Sequence, residues 1–236
     1  MERIDNLDNK ITGVILAGGK SRRMGYNKAL LRIGNQTIIQ RVLASLKQVT
    51  SSQLIITNFQ KDYEFLNIPM QPDILPGKGA FGGIYTGLSV SETSYCLVVA
   101  CDMPFLNVHF LRYMTQIVKE PASSSDLRSN EVKRQALNEA KGYDIVIPKH
   151  SKGYEPLCAI YAKSCLPHIE KFLQANRLKI IDIFPRVRVR YINESEIKSY
   201  VEYPDEDGDA EGFMFFNINT QEDYQHALQL YSTHTH

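Results

Sequence analysis

Short apolar runs alternate with stretches of helical apolar spacing along most of the chain. Val14-Ile15-Leu16-Ala17 is a continuous apolar run closed by Gly18-Gly19, the mark of a strand buried on both faces. Ile38, Ile39, Val42, Leu43, Leu46 and Val49 then recur on one face of a helix, and Leu54 to Asn58 reads as a second strand. Strand, helix and strand in that order predict a right-handed crossover and a parallel pair. Lys61 to Leu66 predicts a short helix, Pro69 to Pro76 a loop, and a further helix begins near Ala80. Tyr95 to Ala100 (YCLVVA) is the most hydrophobic run and is assigned the centre of the sheet. Leu106 to Val118 and Glu131 to Lys141 read as helices, and Tyr143 to Pro148 and Glu155 to Tyr161 as strands. Leu166, Ile169, Phe172 and Leu173 share a helical face, Lys179 to Phe184 predicts a short helix, and Phe213 to Phe216 a last short strand before a helix over Gln221 to Tyr231. The expectation is an α/β fold: one three-layer, Rossmann-like domain with a mainly parallel sheet, residues 1–10 forming a loose leader and 232–236 a frayed tail.

Composition narrows what such a domain can do. Of 236 residues, 43% are hydrophobic and 22% charged, as in an ordinary globular protein, and a formal net charge of +1 gives no global attraction to nucleic acid or to a membrane surface. Any anion site must be local. No apolar run has the length of a membrane span, and the polar start MERIDNLDNK lacks a signal-peptide core. Cys96, Cys101, Cys158 and Cys165 show no C-x-x-C spacing, and the six histidines form no metal-ligand pattern on a shared element. Free, mostly buried thiols in a cytoplasmic protein are expected.

Chemistry concentrates at strand ends. After the first strand, Gly18 and Gly19 allow a tight turn, and Lys20, Arg22, Arg23 and Lys28 follow with no acid among them. Backbone N–H groups and cations in one glycine-bounded loop suit a polyphosphate; a solvated basic turn is the plainer alternative. Neither Gly-Lys-Ser/Thr nor G-x-G-x-x-G is present. A second glycine-rich stretch, PGKGAFGGIYTGL from Pro76 to Leu88, suits either close approach of a nucleotide or close packing of a helix. Asp102 stands at the carboxyl end of the central strand, where ligands of open α/β sheets collect, as do Gly18 and Asn58. It could hold a divalent cation or cap the next helix, a role for which Asn107 competes. Arg186, Arg188 and Arg190 alternate with apolar residues, which gives a solvated outer face or, alternatively, an anion-binding one. Thr220 with Asp223 forms a capping box, leaving Asn217 and Asn219 without a structural explanation. The acidic stretch Asp205 to Glu211 reads as an exposed insertion, and Glu120 to Asn130 as a polar surface loop.

The string LAGGKSRRMGYNKALL resembles the signature of the molybdenum cofactor guanylyltransferases, the MobA family of nucleotidyltransferases, L-A-G-G-x-S-x-R-M-G-x-x-K. CDMPFL, the second glycine-rich stretch, the Pro-Leu-containing strand and the N-x-N-T-x-x-D segment resemble further parts of that family. The resemblance implies a nucleotidyltransferase-type fold. It also implies transfer of GMP from GTP to the terminal phosphate of molybdopterin, with or without bound molybdenum, releasing pyrophosphate. Leu16, Ala17, Gly18, Gly19, Lys28, Asn58, Asp73, Gly82 and Asp102 are thereby expected at the nucleotide. Asp102 would hold Mg²⁺, and Arg23, Lys28 and Asp102 would be the catalytic groups. Asp73 would accept from guanine N1–H and N2–H₂, and Asn217 and Asn219 would face the acceptor. Transient contact with cofactor carriers or recipient molybdoenzymes is also implied. One departure is Asn27, where many members carry aspartate before the lysine. A cytidylyltransferase, a sugar-phosphate nucleotidyltransferase and a non-catalytic cofactor-delivery protein are the alternatives.

Overall fold

The computed structural model describes residues 11–18, 27–118, 120, 142–200 and 213–233. The leader, Gly19, Arg23, the expected Glu131 to Lys141 helix and the Asp205 to Glu211 stretch lie outside these residues.

The strands are β1 (Ile11–Leu16), β2 (Arg32–Ile33), β3 (Gln36–Thr37), β4 (Ser52–Ile56), β5 (Met70–Gln71), β6 (Tyr95–Ala100), β7 (Ile145–His150), β8 (Gly153–Tyr154), β9 (Cys158–Ala162) and β10 (Val189–Ile192). The helices are α1 (Ile38–Lys47), α2 (Gly79–Val90), α3 (Val108–Ile117), α4 (Leu166–Gln174), α5 (Glu194–Lys198) and α6 (Gln221–Thr233). The main sheet runs β10-β7-β9-β6-β1-β4-β5, so β6 is central as its apolar run predicts. Pairs β1–β4, β1–β6, β4–β5 and β7–β10 are parallel; β9 is antiparallel to both β6 and β7.

Side chains alternate across β1 because the strand repeat is two residues. Ile15 and Ala17 enter a core with Ile39, Val42 and Leu46 of α1, Phe110, Leu111 and Met114 of α3, and Ile197 of α5. Val14 and Leu16 enter the opposite core with Phe81, Ile84 and Leu88 of α2 and Ile169, Phe172 and Leu173 of α4. Two helical layers thus enclose the sheet. A satellite cluster of Ile33, Ile38, Ile218 and Ala227 seats α6 against the β2–β3 hairpin.

Helix α2 lies unusually close to β1. A Cβ on Gly83 would stand 3.1 Å from Leu16 Cδ2, and one on Gly87 2.9 Å from Val14 Cγ1. Glycines four apart occupy one helix face, so the pair forms a flat stripe against the strand. Close packing therefore accounts for these two members of the second glycine-rich stretch.

Several expectations are corrected. Phe213 and Met214 are helical and not a strand. Phe213 stacks on Phe105 with ring centroids 4.4 Å apart, while Met214 and Phe215 are buried in the α1–α3 core. The expected strand from Glu155 begins only at Cys158; Pro156 sits in a turn closed by the bond from Cys158 N to Glu155 O, 3.0 Å. Glu155 Oε1 lies 2.8 Å from His150 Nε2. The loop from Pro69 contains β5, a two-residue edge strand, and the segment 60–66 forms two 3₁₀ turns. Arg188 and Arg190 make neither a solvated face nor an anion surface. Arg188 forks onto Asp144 through two bonds of 2.8 Å, and Arg190 pairs with Glu196 at 2.5 Å. Burial pushes Asp144 upward, but hydrogen bonds from Arg188 and Ser164 outweigh it and hold the carboxyl below its ordinary value.

Candidate active site

The carboxyl ends of β1, β4 and β6 open onto a cavity of about 740 Å³. Its walls include Leu16 and Gly18 from β1, Thr57 and Asn58 beyond β4, and Ala100 to Asp102 from β6. Asp73, Gly77, Gly79, Ala80 and Gly83 form one flank, while Leu157, Leu178, Asn217 and Asn219 stand elsewhere around the cavity.

Asp102 follows directly on the central strand, and its backbone carbonyl accepts from Ile218 N at 3.0 Å. Asn107, not Asp102, caps α3: its side chain accepts from Phe110 N at 2.9 Å. Asp102 is released from the capping role considered above. Its Oδ1 is buried with no hydrogen-bond partner among the described residues. Burial raises its pKa, opposed by its own backbone hydrogen bond and by the charge of Lys28. A buried carboxylate oxygen costs free energy unless something positive or protic meets it. This oxygen therefore fits a cation ligand at the cavity floor. No group of three or more His, Cys, Asp or Glu residues arranged for a metal occurs among the described residues. Mg²⁺ does not need one, since it is commonly held by one or two carboxylates with phosphate oxygens and waters.

Lys28 is buried at the start of a 3₁₀ turn, Lys28–Leu30, capped by Asn27. Its Nζ donates to the carbonyl of Asn219, and its charge acts on both Asp102 and Asp223. Asp223 fixes the same turn: Oδ2 accepts from Asn219 N at 2.8 Å and Thr220 N at 2.7 Å, and Asp223 N donates to Thr220 Oγ1 at 3.1 Å. Asn217 and Asn219 are thus brought to the cavity by a hydrogen-bonded turn tied to both Asp102 and Lys28.

Asp73 is half-buried and shaped by its own loop. Oδ1 accepts from Leu75 N at 3.1 Å and from the buried Thr86 hydroxyl at 2.8 Å. Among the described residues Oδ2 accepts no such bond, so one oxygen remains for a ligand. Asn58 Oδ1 accepts from Asp73 N at 3.0 Å, tying these two cavity residues together.

Ala17 and Gly82 are shaped by the fold itself. Ala17 N donates to Ile56 O at 2.9 Å, extending the sheet, which leaves its carbonyl as the backbone group that could meet a ligand. Gly82 is absent from the cavity wall. A Cβ there would lie 3.0 Å from Leu75 O and 3.3 Å from Asp73 Oδ2, so its bareness makes room for the Asp73 loop. Gly83, its neighbour, faces the cavity. The cavity is lined by both Asn58 and Thr57, which compete for the polar position after β4, and by Leu178, which sequence reasoning did not single out. Leu178, between Arg177 and Lys179, carries no periodic signal. Gly79, with φ of +63°, starts α2 in a conformation that favours glycine.

The family model described as the MobA-like NTP transferase domain matches residues 13–183. The chain belongs to this family. It is similar to a probable molybdenum cofactor guanylyltransferase of Pelotomaculum thermopropionicum, 36% identical over 212 residues, covering 90% of this chain and 89% of that one. A probable molybdenum cofactor guanylyltransferase of Carboxydothermus hydrogenoformans is 34% identical, covering 94% and 97% of the two chains. Among solved structures, molybdopterin-guanine dinucleotide biosynthesis protein A of Archaeoglobus fulgidus superposes with a TM-score of 0.65 at 26% identity, covering 94% of this chain and 99% of that one. As a MobA-like NTP transferase the chain is an enzyme of nucleotidyl transfer built on a mainly parallel α/β sheet. No helix among its described residues is long and apolar enough to cross a membrane.

Proposed function

We propose that this protein is a cytoplasmic molybdenum cofactor guanylyltransferase. It transfers GMP from GTP to the terminal phosphate of molybdopterin, alone or carrying molybdenum, and releases pyrophosphate. The observation that carries the reading is Asp102: a buried, unpartnered carboxylate oxygen at the end of the central strand, facing the same cavity as Asp73 and within the field of Lys28. The relatives named above support the choice of GTP and molybdopterin as substrates.

In this reading, Asp102 holds a divalent cation, Mg²⁺, which when bound neutralises charge on the triphosphate. Gly18 and the glycine-rich loop after it lie against the phosphates. Lys28 leaves the Asn219 carbonyl for the oxygen bridging the α- and β-phosphorus atoms, where negative charge grows as pyrophosphate departs. Arg23 binds the phosphates from the same loop. Asp73 Oδ2 accepts a hydrogen bond from the guanine N1–H and N2–H₂ edge, and Asn58 holds the Asp73 backbone in place. Asn217 and Asn219 orient the acceptor so that its phosphate oxygen attacks the α-phosphorus in line, a contribution of position. Contacts with a cofactor carrier or a recipient molybdoenzyme complete the proposal.

The test incubates purified protein with Mg²⁺, molybdopterin and each of GTP, CTP, UTP and ATP, with and without molybdate. Pyrophosphate release and the dinucleotide product are measured. Guanine dinucleotide formed from GTP in preference to the others is expected. A preference for CTP, or transfer only to a sugar phosphate, would replace the acceptor or base assignment. Nucleotide binding without pyrophosphate release would make the protein a carrier.

A further inference from the structure

We propose that Asp62 and Tyr63 are positioning residues for Lys28, acting through the Asn27 side chain, and that residues 27 and 62 form a matched donor–acceptor pair. The proposal rests on the reading of Lys28 as a phosphate-facing cation.

Asn27 ends the glycine-rich loop and immediately precedes Lys28. Its backbone is extended, and its Oδ1 accepts from Ala29 N at 3.2 Å, capping the 3₁₀ turn that carries the lysine. The turn is closed by bonds from Leu30 N to Asn27 O and from Leu31 N to Lys28 O, both 3.0 Å. Because Oδ1 must accept from Ala29, the amide has one orientation, and Nδ2 is the group left to point away. It donates to Asp62 Oδ2 at 3.2 Å and to the Tyr63 hydroxyl at 3.0 Å, and the hydroxyl returns a bond to Oδ1 at 3.3 Å.

Asp62 and Tyr63 follow β4 on a separate loop, and Tyr63 is buried. The loop after β4 therefore grips the outgoing end of the loop after β1. The grip lies one residue before the lysine whose ammonium reaches Asn219. A lysine has four rotatable side-chain bonds, so its reach is selected by where its backbone is held. Here two groups from the loop after the neighbouring strand β4 hold it.

The pair is chemically directional. Aspartate at position 27 would preserve the cap on Ala29 and could accept from the Tyr63 hydroxyl. It would also replace the N–H···O bond to Asp62 with two carboxylate oxygens at the same spacing. Two carboxylates so close cannot both ionise without strong repulsion, and the cap would turn away to relieve it. Asparagine at 62 restores the match with the donor and acceptor exchanged.

The experiment uses full-length protein carrying Asn27→Asp, Asp62→Asn, the two together, and Tyr63→Phe. GTP affinity with Mg²⁺ is measured by calorimetry, GMP transfer by single turnover, and folding by thermal melt. Asn27→Asp is expected to lose about tenfold in affinity or single-turnover rate, and the double variant to return to within about threefold of wild type. In a Lys28→Ala background, Asn27→Asp should cause no further loss, since its effect passes through the lysine. Wild-type affinity and rate in Asn27→Asp, no recovery in the double variant, or an additive loss without Lys28 would each overturn the proposal. Should Asn27→Asp not fold, Tyr63→Phe decides: a loss of about threefold or more supports the coupling, and unchanged values overturn it. A wild-type protein that binds GTP yet transfers no GMP would refute the enzymatic reading alone, because the 27–62 coupling is still read in affinity.

Discussion

Replacing Asp73 by asparagine is a clean test of base recognition because the two oxygens of this carboxylate do different work. Oδ1 holds Leu75 N and the Thr86 hydroxyl, and an asparagine carbonyl can accept both bonds unchanged. The backbone N–H of residue 73 stays on Asn58 Oδ1. Asp73→Ala would strip all of this and confuse a loop defect with a recognition defect. In Asp73→Asn only Oδ2 changes, from a charged acceptor to an amide donor. A guanine N1–H that had met a carboxylate would then meet another N–H, losing a charge-assisted bond of about 1.5–3 kcal/mol. That corresponds to about tenfold to a hundredfold in relative affinity. Adenine offers an acceptor at N1, so its binding should hold or improve. The measurement is kcat/KM for GTP and ATP, with calorimetric affinities in parallel. The GTP-to-ATP ratio should fall by about tenfold or more, mainly through GTP. A ratio within about twofold of wild type, in a variant that melts normally, would remove Asp73 from base recognition.

Asp102→Asn should fold, since burying a neutral amide is easier than burying a charge, yet lose about a hundredfold or more in turnover at saturating Mg²⁺; near-normal turnover would end its assignment as the metal ligand. Lys28→Ala should slow single-turnover transfer more than it weakens GTP binding, and a normal rate with weakened affinity would mean uniform binding instead. Asp144→Asn leaves Arg188 buried without its counter-charge and should cost about 3–5 kcal/mol in urea unfolding. With its native pKa held below the unfolded value, Asp144 contributes full stability above the ordinary aspartate range and loses it as pH falls towards the native value, so acid unfolding of the wild type should be steeper than that of the variant.

What could be read from sequence follows from how local each cause is. Strand β6 was legible because a strand buried on both faces must be apolar throughout, and Tyr95 to Ala100 is nearly so. The capping pair Thr220 and Asp223 was legible because its partners are three residues apart. The arginines near β10 misled, since their partners Asp144 and Glu196 become visible only once the sheet places β7 beside β10 and turns α5 back. Phe213 to Phe216 has strand composition, yet stacking on Phe105 and burial beneath α3 bend it into a helical turn. At the site, Asp102 was singled out by its strand-end position and Asp73 by the family resemblance alone, and both line the cavity. The role of Gly82 was not, because a glycine that leaves room for a loop and one that leaves room for a ligand look identical in sequence.

The cavity draws its parts from distant stretches of the chain. Its floor comes from β6, one flank from the start of α2, and the fixed point for Lys28 from Asn219, 191 residues further along the chain. Ile218 N closes onto Asp102 O, so one short turn braces both charged groups of opposite sign. That turn is itself held by Asp223 and by burial of Ile218 against Ile33 and Ile38. A disturbance of the satellite cluster beneath α6 would therefore reach Asp102 and Lys28 while leaving the two main cores intact. Local opening of a small peripheral cluster costs less than global unfolding. Loss of activity before loss of the sheet is then the order in which this molecule should fail on heating.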